Sequence, residues 1–273
     1  MQYNYLIAGL PDLRMDATNA PQPADLLDEL TQALTEDDRA LLDLIRLQHD
    51  NQNLLRLLDD KDAPLNPLGT LQRQDWAELI SLMDETEQPK DPRLKPYIID
   101  FYRSLADTET DNTLREDRLA TYYYDYAARC SNTFVAAWFT FCLNLNNVLT
   151  AQTCRNLGWD TKAYIVGNND VAQMLRSQTG RDLRLTDEFE EADAFMAIAE
   201  EQNLLTRERR IDQLKWQWIE EHTEYRTFSI DRVLAYWLQC QIIHRWDNLD
   251  TESGRQIFRS MLDEMKQGVK FGQ

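Results

Sequence analysis

No proline follows Pro96, and no glycine lies between Gly69 and Gly158. These residues are the strongest breakers of regular structure, so their absence excludes a chain of short strands and tight turns after Pro96 and predicts long helices there. Cysteine is scarce, with four residues (Cys130, Cys142, Cys154, Cys240) and no CxxC spacing. A chain of this size needs no disulfide staples to bury a core, so the expectation is a cytoplasmic protein with reduced thiols. Basic residues are also short, 29 against 47 acids for a formal charge of −18. Such a surface repels nucleic acid and anionic lipid, which leaves proteins with basic or apolar surface as partners.

Long apolar runs are missing as well. The opening "MQYNYLIAGLPDL" has no charge before Tyr3 and closes early at Pro11-Asp12, so it is not expected to be an export signal. The longest candidate span, "FVAAWFTFCLNL" at 134–145, is interrupted by Thr140 and Asn144 and reads as a buried helix, with no direct membrane insertion expected.

What is present is core. Apolar residues make up 43% of the 273, enough to exclude disorder. The first part reads as short helices from "PADLLDELTQAL", "TEDDRALLDLIRLQHDNQNLLRLLDD", "NPLGTLQRQDWAELISLMDE" and "YIIDFYRSLAD", divided by two Pro-rich loops. In the centre, Leu119, Tyr123, Tyr126, Cys130, Phe134, Ala137, Phe141, Leu145 and Val148 recur at steps of three or four, the helical repeat. The stripe stays in phase across "RCSNTF" and predicts one long central helix over about 114–156, roughly 60 Å in length. Gly158 is placed to end it. Further helices are expected near 170–178, 187–203, 206–223, 230–248 and 252–267. The 230–248 segment is apolar on nearly every face and reads as a central core helix. The fold class is mainly α: a multi-helix bundle, one helical domain over 1–273 with sub-modules 1–96 and 97–273.

The known catalytic patterns fail. No glycine precedes a lysine and no GxG exists, which excludes a phosphate-binding loop. There is no GxSxG elbow. His49, His222 and His244 stand apart, in none of the pairings that hold metals, and read as ordinary surface or core residues. The best enzymatic alternative is "LLDDKD", where Asp59, Asp60 and Asp62 would hold Mg²⁺ as in all-helical isoprenoid synthases. The spacing is DDxD rather than DDxxD, and acids at a helix C-terminus oppose its dipole. In "DEFEEADAFMAIAEE", seven acids run from Asp187 to Glu201 without a base. Charge complementarity with the following "RERRIDQLKWQW" is the plainer reading; an acidic docking face at Asp187, Glu188, Glu190, Glu191 and Asp193 is the functional one. The four tyrosines of "YYYDYAARC" read as packing.

One resemblance bears on function. Arg207-Glu208, Ile211-Asp212, Leu214-Lys215-Trp216, Phe228, "VLAY" at 233–236, Arg245-Trp246 and Gly254, with the opening "YNYLIAGLPDL", are similar to a family of uncharacterised bacterial proteins encoded in V/A-type ATPase operons. That family stands in for the C-type stalk component, whose eukaryotic counterpart is the d-type component. The resemblance implies a non-catalytic part with no cofactor and no metal, joining the central stalk to the membrane rotor ring for proton or sodium transport. Its partners would be the central-stalk and ring subunits, its place cytoplasmic and peripheral to the membrane, and its fold a helical funnel of the C type. A helical adaptor in another complex is the third reading. The opening stretch is then expected to pack Tyr3, Leu6, Ile7 and Leu10 against the 230–248 helix.

Overall fold

A computed structural model describes residues 3–17, 19–106, 114–178, 185 and 189–250, without the side chains of 247–250. It is 69% helical, with eleven α-helices and no strand among the described residues, so the chain is mainly α. The helices are α1 Asn4–Gly9, α2 Pro23–Ala33, α3 Glu36–Asp59, α4 Arg73–Glu85, α5 Pro96–Ser104, α6 Arg115–Ala127, α7 Thr133–Leu157, α8 Asp170–Ser177, α9 Ala192–Ala199, α10 Leu204–Thr223 and α11 Ile230–Asp250. The helix expected at 252–267 lies outside the described residues. Two compact units form, one from Met1–Thr35 with Asp212–Gln273, the other from Glu36–Ile211. These seams lie elsewhere than the 96/97 position suggested by the Pro-rich loops.

The single helix expected over 114–156 is two. In the Glu36–Ile211 unit α6 stops at Ala127, and Arg129 and Cys130 donate back to Tyr126 and Ala127 in tighter i→i+3 turns. Asn132 then starts α7, its side-chain oxygen accepting from the Val135 amide at 2.9 Å. In one straight helix Tyr123 and Phe139 would stand about 24 Å apart. Their rings are 5.3 Å apart, because α7 folds back on α6. The stripe hid this turn because both helices bury an apolar face and the intervening residues kept those faces in register. Gly158 does end α7, at φ 72°.

Around α7 pack α6, α8 and α9, with Phe141 edge-on to Phe195 at 5.4 Å. α7 is long and apolar enough to cross a membrane by length and composition, yet 67% of its most apolar window is buried inside the protein. It is the core helix of this unit. α5 and α3 close on α6 through tyrosines: Tyr97 meets Tyr123 and Tyr126 at 5.6 and 5.2 Å, and the Tyr123 hydroxyl donates to the Leu44 carbonyl.

In the unit formed by the two end segments, α11 is enclosed. Its residues 233–240 are all buried, eight in succession and so more than two turns covered on every side. α2 packs on it, and the Pro21 carbonyl accepts from Cys240 Sγ at 3.1 Å and lies 2.7 Å from His244 Nε2. The opening stretch forms the short helix α1. Tyr3 is buried, its hydroxyl oxygen accepting from the Thr35 amide, while Leu6, Ile7 and Leu10 are half-buried.

Candidate functional site

The aspartates of "LLDDKD" do not converge. Asp59 is largely exposed and pairs with Arg115 at 2.8 Å, whereas Asp60 turns its oxygen to the Asp62 amide at 2.9 Å. Arg73 caps the same loop by donating to the carbonyls of Lys61 and Ala63. Among the described residues, no group of three or more His, Cys, Asp or Glu is placed to hold a metal. Each histidine takes part in a local contact: His49 with Asn66, His222 with the Trp218 carbonyl, His244 with Pro21. None of the four cysteines forms a disulfide.

Of the acidic candidates, Asp187 and Glu188 lie outside the described residues. Glu190 and Asp193 are exposed, and Glu191 precedes α9 without a side-chain capping bond. Farther along the same run, Glu201 meets Arg210 at 3.4 Å, so the basic start of α10 answers at least that acid.

Three of the residues that carry the resemblance meet: Asp212, Arg245 and Trp246. Asp212 of α10 is 1% exposed; its carboxylate accepts twice from Arg245 Nη1 at 2.9 Å and once from Trp246 Nε1 at 2.8 Å. The Arg245 guanidinium lies 6.0 Å from the Trp246 ring centre. A buried carboxylate demands such donors, since removing one partner strands a charge away from water. The cluster ties α10 to α11, and the VLAY residues 233–236 are buried in the same unit. Arg226 and Asp231 pair across the turn between these helices. That turn also exposes two aromatic rings, Tyr225 at 90% and Phe228 at 49%. Phe228 is among the residues that carry the resemblance and Tyr225 is not; what the two share is exposure to solvent.

The densest polar cluster sits in the other unit, where two helices each hold a loop. Asn53 of α3 grips the main chain of Asn66 at two points, accepting from its amide at 2.7 Å and donating to its carbonyl at 3.1 Å. Asp50, one turn earlier and fully buried, accepts from the Thr70 amide and hydroxyl and from the Leu71 amide, at 2.7 to 3.2 Å. Arg46, one turn earlier again, donates to the carbonyls of Leu68 and Gly69. Gly69 is required there, because a Cβ would stand 2.7 Å from Asp50 Oδ1. Burial pushes the Asp50 carboxyl up despite the opposing hydrogen bonds from Thr70 and Leu71. Burial, and after it the Arg46 charge, hold His49 down at about 4. Asn66 Nδ2 lies 3.1 Å from its Nδ1, so the imidazole proton is on Nε2, which is buried without a partner among the described residues.

On α7 the plan recurs. Asn147 accepts from the Val166 amide at 2.9 Å and donates to its carbonyl at 2.7 Å. Asn144, one turn earlier, accepts from Asn169 Nδ2 at 2.8 Å. Arg176 of α8 donates to the carbonyls of Ile165 and Gly167, and Gly167 has φ 75°, a region that only glycine enters freely. These side chains are spent on loop main chain. They are devices for holding shape, and nothing in the sequence marks them, because a buried Asn looks like any surface Asn.

No curated protein and no solved structure matches this chain. One family does, described as a protein of unknown function (DUF2764), over residues 1–269. With its whole length but the last few residues matched, the chain belongs to the DUF2764 family.

Proposed function

We propose that this protein is a non-catalytic part of a V/A-type rotary ATPase, of the C/d type, joining the central stalk to the membrane rotor ring. ATP is hydrolysed elsewhere in that assembly, and this chain works by contact, on the cytoplasmic side and held to the membrane through its protein partners. The observation that carries the reading is the meeting of Asp212 with Arg245 and Trp246, more than thirty residues apart in sequence, around a carboxylate that is almost fully buried. The opening YNYLIAGLPDL segment belongs to the same compact unit, so the resemblance falls largely on one folded body rather than on scattered letters. Helices packed around buried α7 and enclosed α11 suit a part that must transmit torque without yielding. The contact residues of this reading are Tyr225 and Phe228, since exposed aromatics are the usual anchors of protein interfaces.

A tagged chain drawn from native membranes is expected to bring the ATPase stalk and ring subunits with it in fixed ratio, while the isolated chain turns over no ATP. Recovery of the chain alone, or with partners from an unrelated complex, contradicts the reading.

A further inference from the structure

In the unit formed by the end segments, residues 7–14 and α11 border a cavity of about 310 Å³. That is the lower end of the range for small-molecule sites, room for one compact ligand. One of its walls carries a buried polar group with no hydrogen-bond partner among the described residues. Tyr236 is 5% exposed, and its hydroxyl makes no hydrogen bond among the described residues. Beside it Gln239 is 3% exposed and lines the same cavity. Burial pushes the Tyr236 phenol up to about 12, so at neutral pH it is a donor. Native interiors rarely leave such a group bare, and a cavity that holds one is shaped for a polar guest.

The charges on the walls say which guest. Arg14 and Arg232 supply two cations, neither in an ion pair among the described residues, although acids outnumber bases in this chain. Asp12 and Glu220 supply two carboxylates, and only one Glu220 oxygen is engaged, by Trp216 Nε1 at 2.8 Å. A simple anion would face those carboxylates and a simple cation would face the arginines. A molecule with both signs satisfies all four. Leu10 and Leu13 add an apolar wall.

We propose that this cavity binds a free α-amino acid with an apolar side chain. Its carboxylate takes hydrogen bonds from the two arginines and the Tyr236 hydroxyl, its ammonium meets Asp12 and Glu220, and its side chain lies against Leu10 and Leu13. The inference stands apart from the rotary-ATPase reading, and neither falls with the other.

Calorimetry and thermal unfolding of the full chain with L-leucine, L-valine and L-phenylalanine provide the test. At least one of the three is expected to bind and to raise the melting temperature. For leucine, 4-methylpentanoate lacks the ammonium and 3-methylbutylamine lacks the carboxylate; each is expected to bind at least ten-fold more weakly than the amino acid. Y236F is expected to melt no lower than the parent, because it removes an unpartnered hydroxyl, yet to lose roughly ten-fold in affinity. R14Q alters an exposed residue and is expected to show the same loss with folding intact. No binding of any of the three amino acids, equal binding of either analogue, or unchanged affinity in both variants overturns the proposal.

Discussion

Two loops of the Glu36–Ile211 unit are held by one plan in two chemistries. In each, an asparagine on a long helix grips a loop residue by amide and carbonyl, a side chain one turn earlier bonds farther along the loop, and an arginine collects two loop carbonyls. On α3 the earlier side chain is the carboxylate Asp50, with His49 beside it; on α7 it is the amide Asn144. The shared part shows what the fold requires, since a loop entering a core must have its main-chain groups bonded. The differing part shows what is optional. A buried charge binds three donors from two residues more strongly than an amide does, at the cost of desolvation and of a dependence on pH.

The largest expected effect separates the two chemistries. Asp50→Ala leaves the Thr70 and Leu71 amides and the Thr70 hydroxyl without their acceptor. It should lower the unfolding free energy by about 3 kcal/mol or more, against about 1 kcal/mol for Asn144→Ala. Denaturant titration of the pair measures the difference, and equal losses would mean that the charge adds nothing.

Asn53→Ala and Asn147→Ala should cost nearly the same, about 2 kcal/mol each, since each strips one donor and one acceptor from loop main chain. Hydrogen exchange at the Asn66 and Val166 amides reads them locally. Loss of protection at only one loop would show that the two grips are not equivalent.

The smallest effect at neutral pH is the most specific. His49 is held at about 4 against an ordinary 6.5, so on acidification the unfolded chain takes up a proton before the folded one does. Its contribution to stability is present above pH 6.5 and is lost as pH falls toward 4. Asp50 has the opposite sign. Raised above 3.8, it favours the folded state in acid, and that share is lost as pH rises through its folded value. His49→Gln should therefore flatten the stability profile between pH 6.5 and 4, and Asp50→Asn should steepen its acid side. A profile unchanged by His49→Gln would place the acid sensitivity elsewhere.

Much of this architecture was legible in the sequence. The missing prolines and glycines mark where helices run long, Gly158 ends α7, and the all-round apolar 230–248 segment is the enclosed α11. The turn at 128–132 was not legible, because periodicity reports which face is buried and is blind to a reversal that keeps the face in register. Nor were the two grips legible. Asn53 and Asn147 bond main chain thirteen and nineteen residues away, and main chain leaves no letter in a sequence. Asp212 was found only through resemblance, and its partners Arg245 and Trp246 meet it by folding. The Tyr236 cavity depends on a hydroxyl that is buried and unbonded, a fact of packing alone.

The central claim is that this chain works by contact inside a rotary ATPase. Its most direct measurement is the stoichiometry of the chain in ATPase complexes purified through a tag on another component. The account predicts a fixed, whole-number ratio to the stalk, lost when Tyr225 and Phe228 are both changed to Ser although the variant still folds. A complex that is complete and active without the chain would contradict it.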